Sequence, residues 1–330
     1  MKSWRPNPVE LETDLSPLLN LTVGALLMEV RARESDQVDD VLLSLSELHK
    51  RSGSDRLVLL HPFLFRFHND YADQGPTTKL RISELFSEVL PRVEASRSRA
   101  RQGAAIFGIS IDVSPPDLAS RSTTERLNAM ARRAAGRDVG MSFLHTNLAG
   151  NEVTVFRDAC RTINQVWPEM AAELASNIAC IGFFESDATI GAADFACNGS
   201  IFLNVGRLSD PVKLAEEIIH EASHVRLNTA MASDAMVLNH AGELFQTPHR
   251  QDRRPMFGLF HQAFVLRRLR EYYMKCSDAL GSKYLDDVRK IDELLAVALS
   301  AVREHGRLTP VGRTLLADMA PQLPAQEAVP

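Results

Sequence analysis

Hydrophobic positions in the first part of the chain recur at the spacing of amphipathic helices. Residues 15–34 and 36–50 carry apolar side chains three and four positions apart, which places them along one face of a helix. The polar run at 51–55 interrupts this spacing, and the segment 69–78, which contains a Gly-Pro pair, predicts a loop. We therefore expect a helical N-terminal lobe.

Two segments that follow differ from this helical pattern. Residues 104–113 are apolar and partly β-branched and precede Ser114-Pro115-Pro116, so they predict a strand. Residues 117–150 are polar and rich in arginine, which predicts an exposed or mobile connection. We place the end of the N-terminal lobe at residue 150, so that the lobe spans 1–150.

The pattern becomes more regular after residue 150. Residues 153–176 predict a helix that is kinked or restarted at Pro168, because proline removes a helical hydrogen bond. The apolar run 178–184 predicts a buried strand, and the alternation of apolar and polar residues over 200–205 predicts a half-buried strand. A small sheet is therefore expected in this part of the chain.

A helix start follows the second of these strands. In Ser209-Asp210-Pro211 a capping side chain precedes a proline in the first turn, which predicts a helix that continues to about Leu227. Three further helices are predicted, over 256–276, 284–304 and 310–319. The fold class is thus α+β and predominantly helical, with a catalytic domain over 151–320 and a disordered tail over 321–330.

Composition and charge exclude some classes of protein. The chain has 330 residues, of which 45% are hydrophobic and 24% charged, as is usual for a globular protein. Its net charge of −5 argues against a nucleic-acid-binding protein, which needs a basic surface. No uncharged apolar stretch approaches the roughly 20 residues that cross a bilayer, and the charged N-terminus does not resemble a secretory signal. We expect a cytoplasmic protein, with no membrane or nucleic-acid partner, whose four scattered cysteines are buried thiols.

The motif that carries chemistry is His220-Glu221-Ala222-Ser223-His224, within the helix predicted from Pro211. Residues four apart on a helix share one face, so two imidazoles at this spacing can converge on one cation. The glutamate between them can reach a water molecule bound to that cation. The motif therefore predicts a metalloenzyme in which His220 and His224 are metal ligands and Glu221 takes part in catalysis.

Two histidines do not complete a metal site, so a third ligand is required. The metzincin extension of the motif is absent, because Leu227 and Ala230 stand where it needs glycine and histidine. Glu243 follows His224 after 18 intervening residues, which resembles the gluzincin peptidase pattern. His261 is the second candidate, in the helix that follows Pro255. The residues alone leave both open.

Two segments carry a resemblance to a known family. They are Lys213-Leu-Ala-Glu-Glu-Ile-Ile-His-Glu-Ala-Ser-His224 and Thr247-Pro-His-Arg-Gln-Asp-Arg-Arg-Pro255, the latter followed by Gly258-Leu-Phe-His261. They resemble the HExxH-motif peptide-modification family of Fe(II)- and 2-oxoglutarate-dependent peptide β-hydroxylases. The similarity covers roughly residues 155–317 and is diffuse outside these segments. His249 stands where that family usually has tryptophan.

The resemblance implies a ligand set and a co-substrate site. Matched by position, it assigns the metal to His220, His224 and His261. It also makes Arg250 and Arg254 candidates for binding a carboxylate of 2-oxoglutarate. A planar guanidinium group suits that task because it can donate two parallel hydrogen bonds to one carboxylate.

Two enzymatic functions and one non-enzymatic function follow from these observations. The first is an Fe(II)- and 2-oxoglutarate-dependent oxygenase (a dioxygenase) that hydroxylates an amino-acid side chain, at the β-carbon on the resemblance. Its substrate would be a ribosomally made peptide, as in natural product biosynthesis, or a free amino acid. The alternative is a gluzincin-type zinc peptidase with His220, His224 and Glu243 as ligands and Glu221 as general base. The third, a binding protein with a structural metal, is disfavoured because structural zinc sites usually use cysteine.

Overall fold

The structure is a computed structural model. It describes residues 3–7, 61–63, 89–108, 110–113, 115, 118, 121–144, 148, 150–207, 209–246 and 253–320. The helices predicted over 15–34 and 36–50, the interruption at 51–55, the loop at 69–78, the tail at 321–330 and Arg250 lie outside the described residues. The chain divides into two compact units, one spanning Asn7–Ser233 and the other Met1–Pro6 with Asp234–Pro330. The domain boundary expected near residue 150 stays a prediction.

The unit Asn7–Ser233 contains a small mixed sheet and several helices. Its described helices are α1 (Leu90–Phe107), α2 (Arg121–Ala135), α3 (Asn151–Val166), α4 (Pro168–Asn177) and α5 (Pro211–Met231). Its described strands are β1 (Asp112–Val113), β2 (Ser142–Leu144), β3 (Cys180–Glu185), β4 (Gly191–Ala192) and β5 (Ser200–Asn204).

Strand β3 is central to the sheet. Along one edge it pairs with β1 in parallel and then with β2 in antiparallel orientation, and along the other it pairs with β5 in parallel. Strand β4 is antiparallel to β5, with Gly191 opposite Leu203. Helix α5 packs against β5 and α3. The helix that carries the histidine motif therefore packs on the part of the sheet that contains β5.

Several predicted elements are confirmed, with small shifts of their bounds. The helix predicted over 153–176 consists of α3 and α4, and the break at Trp167 is where Pro168 begins the second helix. Strand β3 is buried from Cys180 to Phe184, as predicted. All four cysteines are buried free thiols, also as predicted.

Strand β5 is fully buried, so its predicted half-exposure is wrong. The side chains of its polar residues form hydrogen bonds with main-chain carbonyl groups of the protein. Ser200 Oγ donates to the Cys197 carbonyl at 2.7 Å, and Asn204 Nδ2 donates to the carbonyls of Ser186 at 2.6 Å and Thr189 at 2.7 Å. Such bonds remove most of the cost of burying a polar side chain.

Two predictions for residues 104–150 are also wrong. Most of the apolar run 104–113 does not form a strand, because α1 continues to Phe107 and ends at Gly108, whose φ of 74° is left-handed. Only Asp112 and Val113 at its end pair with β3. A short apolar run cannot distinguish a helix from a strand by periodicity alone.

The segment 117–150 is not a simple exposed connection. It contains α2 and β2, and Leu127 and Ala131 on α2 are buried while the arginines Arg132 and Arg133 on the same helix are exposed. Arg126, also on α2, forms a two-fold hydrogen-bonded ion pair with Asp194. Helix α2 is therefore amphipathic, and its many arginines are the reason why the sequence pattern was interpreted as an exposed connection.

The unit of Met1–Pro6 and Asp234–Pro330 is mainly helical. Its described elements are the paired strands β6 (Leu244–Phe245) and β7 (Arg254–Pro255) and the helices α6 (Met256–Leu280), α7 (Leu285–His305) and α8 (Pro310–Met319). The three helices confirm those predicted after residue 256. Trp4 is buried in this unit, where its indole Nε1 donates to the Asp318 carbonyl at 3.0 Å and Arg268 Nε donates to its carbonyl at 2.8 Å.

The predicted fold class, α+β and predominantly helical, is confirmed by these elements. Among the helices in the described part of the chain, none combines the length and apolar character needed to cross a membrane.

A buried polar cluster next to β3 gives a test of this fold. His61 Nε2 lies 2.9 Å from Ser96 Oγ and 3.7 Å from Cys180 Sγ. Burial, and then the charge of Arg99, lowers the pKa of His61 from its ordinary value of 6.5 to about 3. Between these two values the unfolded chain binds a proton that the folded chain does not bind.

We predict that this histidine makes the protein less stable as the pH falls. Its contribution to the free energy of unfolding should decrease by up to about 1.4 kcal/mol per pH unit below about pH 6.5. The variant His61→Gln keeps a donor but does not titrate, so it should lose this dependence. Urea unfolding of both proteins between about pH 7 and pH 5 measures the difference. If the free energies of unfolding of the wild type and His61→Gln changed with pH in the same way, His61 would not be buried in the neutral form.

Candidate metal centre

Helix α5, which carries the histidine motif, begins where the sequence predicts. The Asp210 side chain accepts hydrogen bonds from the main-chain N–H groups of Val212 at 2.8 Å and Lys213 at 3.3 Å, and Pro211 occupies the first turn. These bonds satisfy two N–H groups that the helix itself cannot pair. The helix runs one turn past the predicted end, to Met231.

His220 and His224 lie side by side on this helix. Their ring centroids are 5.2 Å apart, and their planes are inclined by 58°. Both side chains are half-buried, so they remain within reach of solvent. The rings are therefore close together, as expected for residues four apart on a helix, and their binding of one cation stays a prediction.

Glu221, unlike the two histidines on the same turn, is buried. Its side chain is only 5% exposed and lies against the main chain of β4. Burial, and then the nearby Glu217 carboxylate, raises the pKa of this carboxyl group well above its ordinary value. Glu221 therefore lies between α5 and the edge strand of the sheet, next to the imidazole pair along the helix.

Gly191 is part of this arrangement and was missed in the sequence. A Cβ atom at this position would lie 2.7 Å from Glu221 Oε1 and 2.9 Å from its Cγ, so no larger residue fits without movement of the glutamate. No strand was predicted near this residue. The available signal was a glycine inside the apolar stretch Ile190-Gly191-Ala192, which can indicate close approach of another group to a strand.

Glu243, the first candidate third ligand, is already bound within its own unit. Its Oε1 accepts a hydrogen bond from Arg307 Nη2 at 2.5 Å, and its Oε2 accepts one from Asn239 Nδ2 at 3.2 Å. The hydrogen bond from Asn239, and also the charge of Arg307, lowers the pKa of Glu243. Both carboxylate oxygens are thus engaged by residues of the unit Asp234–Pro330.

His261, the second candidate, lies in the first turns of α6. Its side chain is buried and meets the ring of Phe257 edge-on, with centroids 5.8 Å apart. Burial lowers its pKa from 6.5 to about 4, so the imidazole is neutral at neutral pH. Only a neutral imidazole can act as a metal ligand.

Of the two arginines expected to bind the co-substrate, the structure describes one. Arg254 is a half-buried residue of β7, where it is paired with Phe245 of β6. Arg250 lies outside the described residues.

The structure thus brings two of the predicted ligands together. No group of three or more His, Cys, Asp or Glu side chains able to hold a metal ion occurs among the residues the structure describes. The chain matches no protein-family profile, and it matches no curated protein sequence.

We predict that Gly191→Ala disturbs Glu221. The added methyl group would force the buried carboxyl group to move, and overpacking of this kind typically costs about 1–3 kcal/mol. The cost should be much smaller in a Glu221→Ala background, where the atoms in the way are absent. Unfolding free energies of the two single variants and the double variant measure this coupling.

Gly140→Ala is the matched control. No atom lies within 4 Å of a Cβ at that position, so its stability should be almost unchanged. Equal costs for Gly191→Ala with and without Glu221 would contradict the close contact.

Proposed function

We propose that this protein is a non-haem iron oxygenase that hydroxylates an amino-acid side chain with 2-oxoglutarate as co-substrate. Fe(II) would be bound by His220, His224 and His261. The observation that supports this most strongly is the pair of imidazoles 5.2 Å apart on one turn of α5.

The chemistry of the donor set fits iron. Imidazole nitrogens suit Fe(II), and a site with three protein ligands leaves coordination positions open for a co-substrate and dioxygen. His261 is proposed as the third ligand because its segment resembles the peptide β-hydroxylase family. Its neutral ring supports that role, since no proton has to be removed before it binds a metal.

Arg250 and Arg254 are proposed to bind 2-oxoglutarate. A guanidinium group can hold the carboxylate remote from the reacting 2-oxo acid and so fix the orientation of the co-substrate. Bound iron would supply the reaction in which dioxygen and 2-oxoglutarate give succinate, carbon dioxide and a hydroxylated carbon of the substrate.

Glu221 is proposed to act beside the metal, as a substrate contact or as a positioning residue. Its burial against Gly191 fixes the side chain and so restricts the turn of α5 that carries both histidines. A carboxyl group held in this way can orient a neighbouring ligand or a substrate amide without binding the metal itself.

The substrate is proposed to be a ribosomally made peptide or a free amino acid, on the same resemblance. The net charge of −5 makes a nucleic-acid substrate a poor fit. We further propose a cytoplasmic location, since all four cysteines are free thiols, as is usual in a reducing compartment.

The alternative is a zinc peptidase with Glu243 as the third ligand and Glu221 as general base. It requires Glu243 to leave both Arg307 and Asn239 before it can bind zinc. The oxygenase ligand set is preferred because the segment that contains His261 carries the resemblance to the peptide β-hydroxylase family.

The experiment that tests the proposal is anaerobic loading with Fe(II), followed by 2-oxoglutarate and oxygen, with succinate measured. The substrates offered would be a mixture of free amino acids and a peptide library. We predict succinate formation that requires iron and falls at least about tenfold in His220→Ala, His224→Ala and His261→Ala, because removal of a ligand weakens metal binding.

Glu243→Ala and His240→Ala are the matched controls, since the first tests the rival ligand and the second removes an exposed histidine. Both should keep iron and activity. Zinc-dependent peptide hydrolysis that is lost in Glu243→Ala and retained in His261→Ala would contradict the oxygenase and support the peptidase.

A further inference from the structure

The start of the chain packs in the unit that contains its end. Met1–Pro6 belongs to the same compact unit as Asp234–Pro330, whereas Asn7 belongs to the unit that continues to Ser233. The residues Ser3–Arg5 form the N-terminal segment. Between this segment and the rest of its unit, the chain runs through the whole of the other unit. The segment is therefore a short terminal piece that binds to a distant part of the sequence.

The side chain of Trp4 fills a pocket on helices α6 and α8. It is only 1% exposed, and its indole Nε1 donates to the main-chain carbonyl of Asp318 at 3.0 Å. The guanidinium carbon of Arg267 lies 3.7 Å from the centroid of the indole ring, a distance at which a cation is attracted to the face of the ring. This Trp4 pocket therefore contacts both the polar edge and the face of the indole.

The main chain of the N-terminal segment is bound as well. The Trp4 N–H donates to Asp318 Oδ2 at 3.1 Å, and the Trp4 carbonyl accepts from Arg268 Nε at 2.8 Å. Ser3 Oγ donates to Asp318 Oδ2 at 2.8 Å, and Arg5 forms an ion pair with the same carboxylate at 3.6 Å. Main-chain hydrogen bonds combined with a side-chain pocket are also the means by which proteins bind linear peptides from another chain.

The residues that dominate these contacts are of the kind that dominates binding between chains. Tryptophan and arginine are enriched among the few residues that carry most of the binding energy of protein interfaces. Here the tryptophan is on the segment, and Arg267 and Arg268 are on the pocket side. Ser3, Trp4 and Arg5 supply all the contacts named above from the side of the segment. The interaction is thus compact enough to be made by a second molecule.

A stiff hinge connects the segment to the other unit. Pro6 and Pro8 flank Asn7, at the position in the sequence where one unit gives way to the other. Proline fixes its own φ and biases the preceding residue towards extended backbone, so this hinge bends less freely than a glycine-rich one. Stiffness can lower the effective concentration of a tethered segment at its own site, and short strained hinges favour exchange of an element between chains.

We propose that the N-terminal segment is exchanged between two copies of the chain, so that Trp4 of one copy fills the Trp4 pocket of the other. The contacts of the segment are the same in the exchanged and the unexchanged form. Exchange of an identical element is therefore a low-cost route to a dimer, because the site of contact already exists. The partner is a second copy because the segment of this chain already matches the pocket at every contact named above.

The wild-type chain of 330 residues provides the first test. Size-exclusion chromatography with light scattering measures its mass as a function of concentration. We expect the dimer fraction to rise between about 10 µM and 1 mM, since a tethered segment competes at an effective concentration in the millimolar range or below. Pro6→Gly/Pro8→Gly should lower that fraction at least about threefold, because a flexible hinge favours binding within one chain.

Two complementary variants provide the second test. Trp4→Ala removes the indole but keeps the pocket, whereas Asp318→Ala keeps the segment but removes the carboxylate that binds it. When these chains are mixed, an intact segment and an intact pocket are present on different molecules. We expect a one-to-one complex whose dissociation constant is at least about tenfold below that for self-association of either variant. Light scattering gives the mass, and the fluorescence of Trp4, which becomes buried, gives the affinity.

The matched control contains the same substitutions without this complementarity. The double variant Trp4→Ala/Asp318→Ala, mixed with Trp4→Ala, offers a pocket but no tryptophan-bearing segment. This mixture should remain monomeric at concentrations where the complementary pair associates. The series with the wild-type chain needs no substitution, so it decides the proposal even if one of the variants does not fold.

Three results would overturn the proposal. The first is a wild-type chain that stays monomeric up to about 1 mM, where an exchangeable segment should already bind to a second copy. The second is association of the complementary pair that is no stronger than that of the control mixture. The third is a dimer formed equally well by the double variant alone, which would place the interface elsewhere. None of these measurements involves a metal ion, so their outcome is independent of the proposed oxygenase.

Discussion

The arrangement of the histidine motif depends on how helix α5 is held in the fold. Helix α5 packs against β5 and α3, and apolar residues such as Ile218, Ala222 and Val225 are buried on it. The same helix buries the Glu221 carboxyl group against Gly191, yet keeps two imidazoles half-exposed on one turn. Because the helix is fixed on its apolar side and capped by Asp210, the two imidazoles are held side by side on one turn.

The two ends of the small sheet have different chemistry. Near the carboxyl end of β5 lie Gly191 and the buried carboxyl group of Glu221. At the amino ends of β3 and β5 a cavity is lined by amide, hydroxyl, imidazole and guanidinium groups, among them Asn177, Asn198, Ser96, His61, Arg97 and Arg101. At that end Asn198 donates to Thr229 in the carboxyl-terminal part of α5, the same helix that carries His220 and His224.

What the sequence predicted well is local in the chain. Pro168 restarts a helix, Asp210 and Pro211 begin one, and residues four apart share a face; each of these depends on a few neighbouring residues. The features that were predicted wrongly or missed depend on contacts between residues that are distant in the sequence. The burial of β5 relies on bonds from Asn204 to carbonyls 15 and 18 residues away, and Gly191 is required only because Glu221 packs against it. Neither contact leaves a periodic signal in the sequence.

Above all, we propose that His220 and His224 together bind a divalent metal ion. The most direct measurement is a titration of the metal-free 330-residue chain with Co(II), followed by its visible absorption spectrum, in which ligand-field bands report coordination by the protein. We predict one equivalent of tightly bound cobalt per chain, lost in His220→Ala/His224→Ala and retained in His240→Ala. Cobalt bound equally well by the double variant would contradict the account.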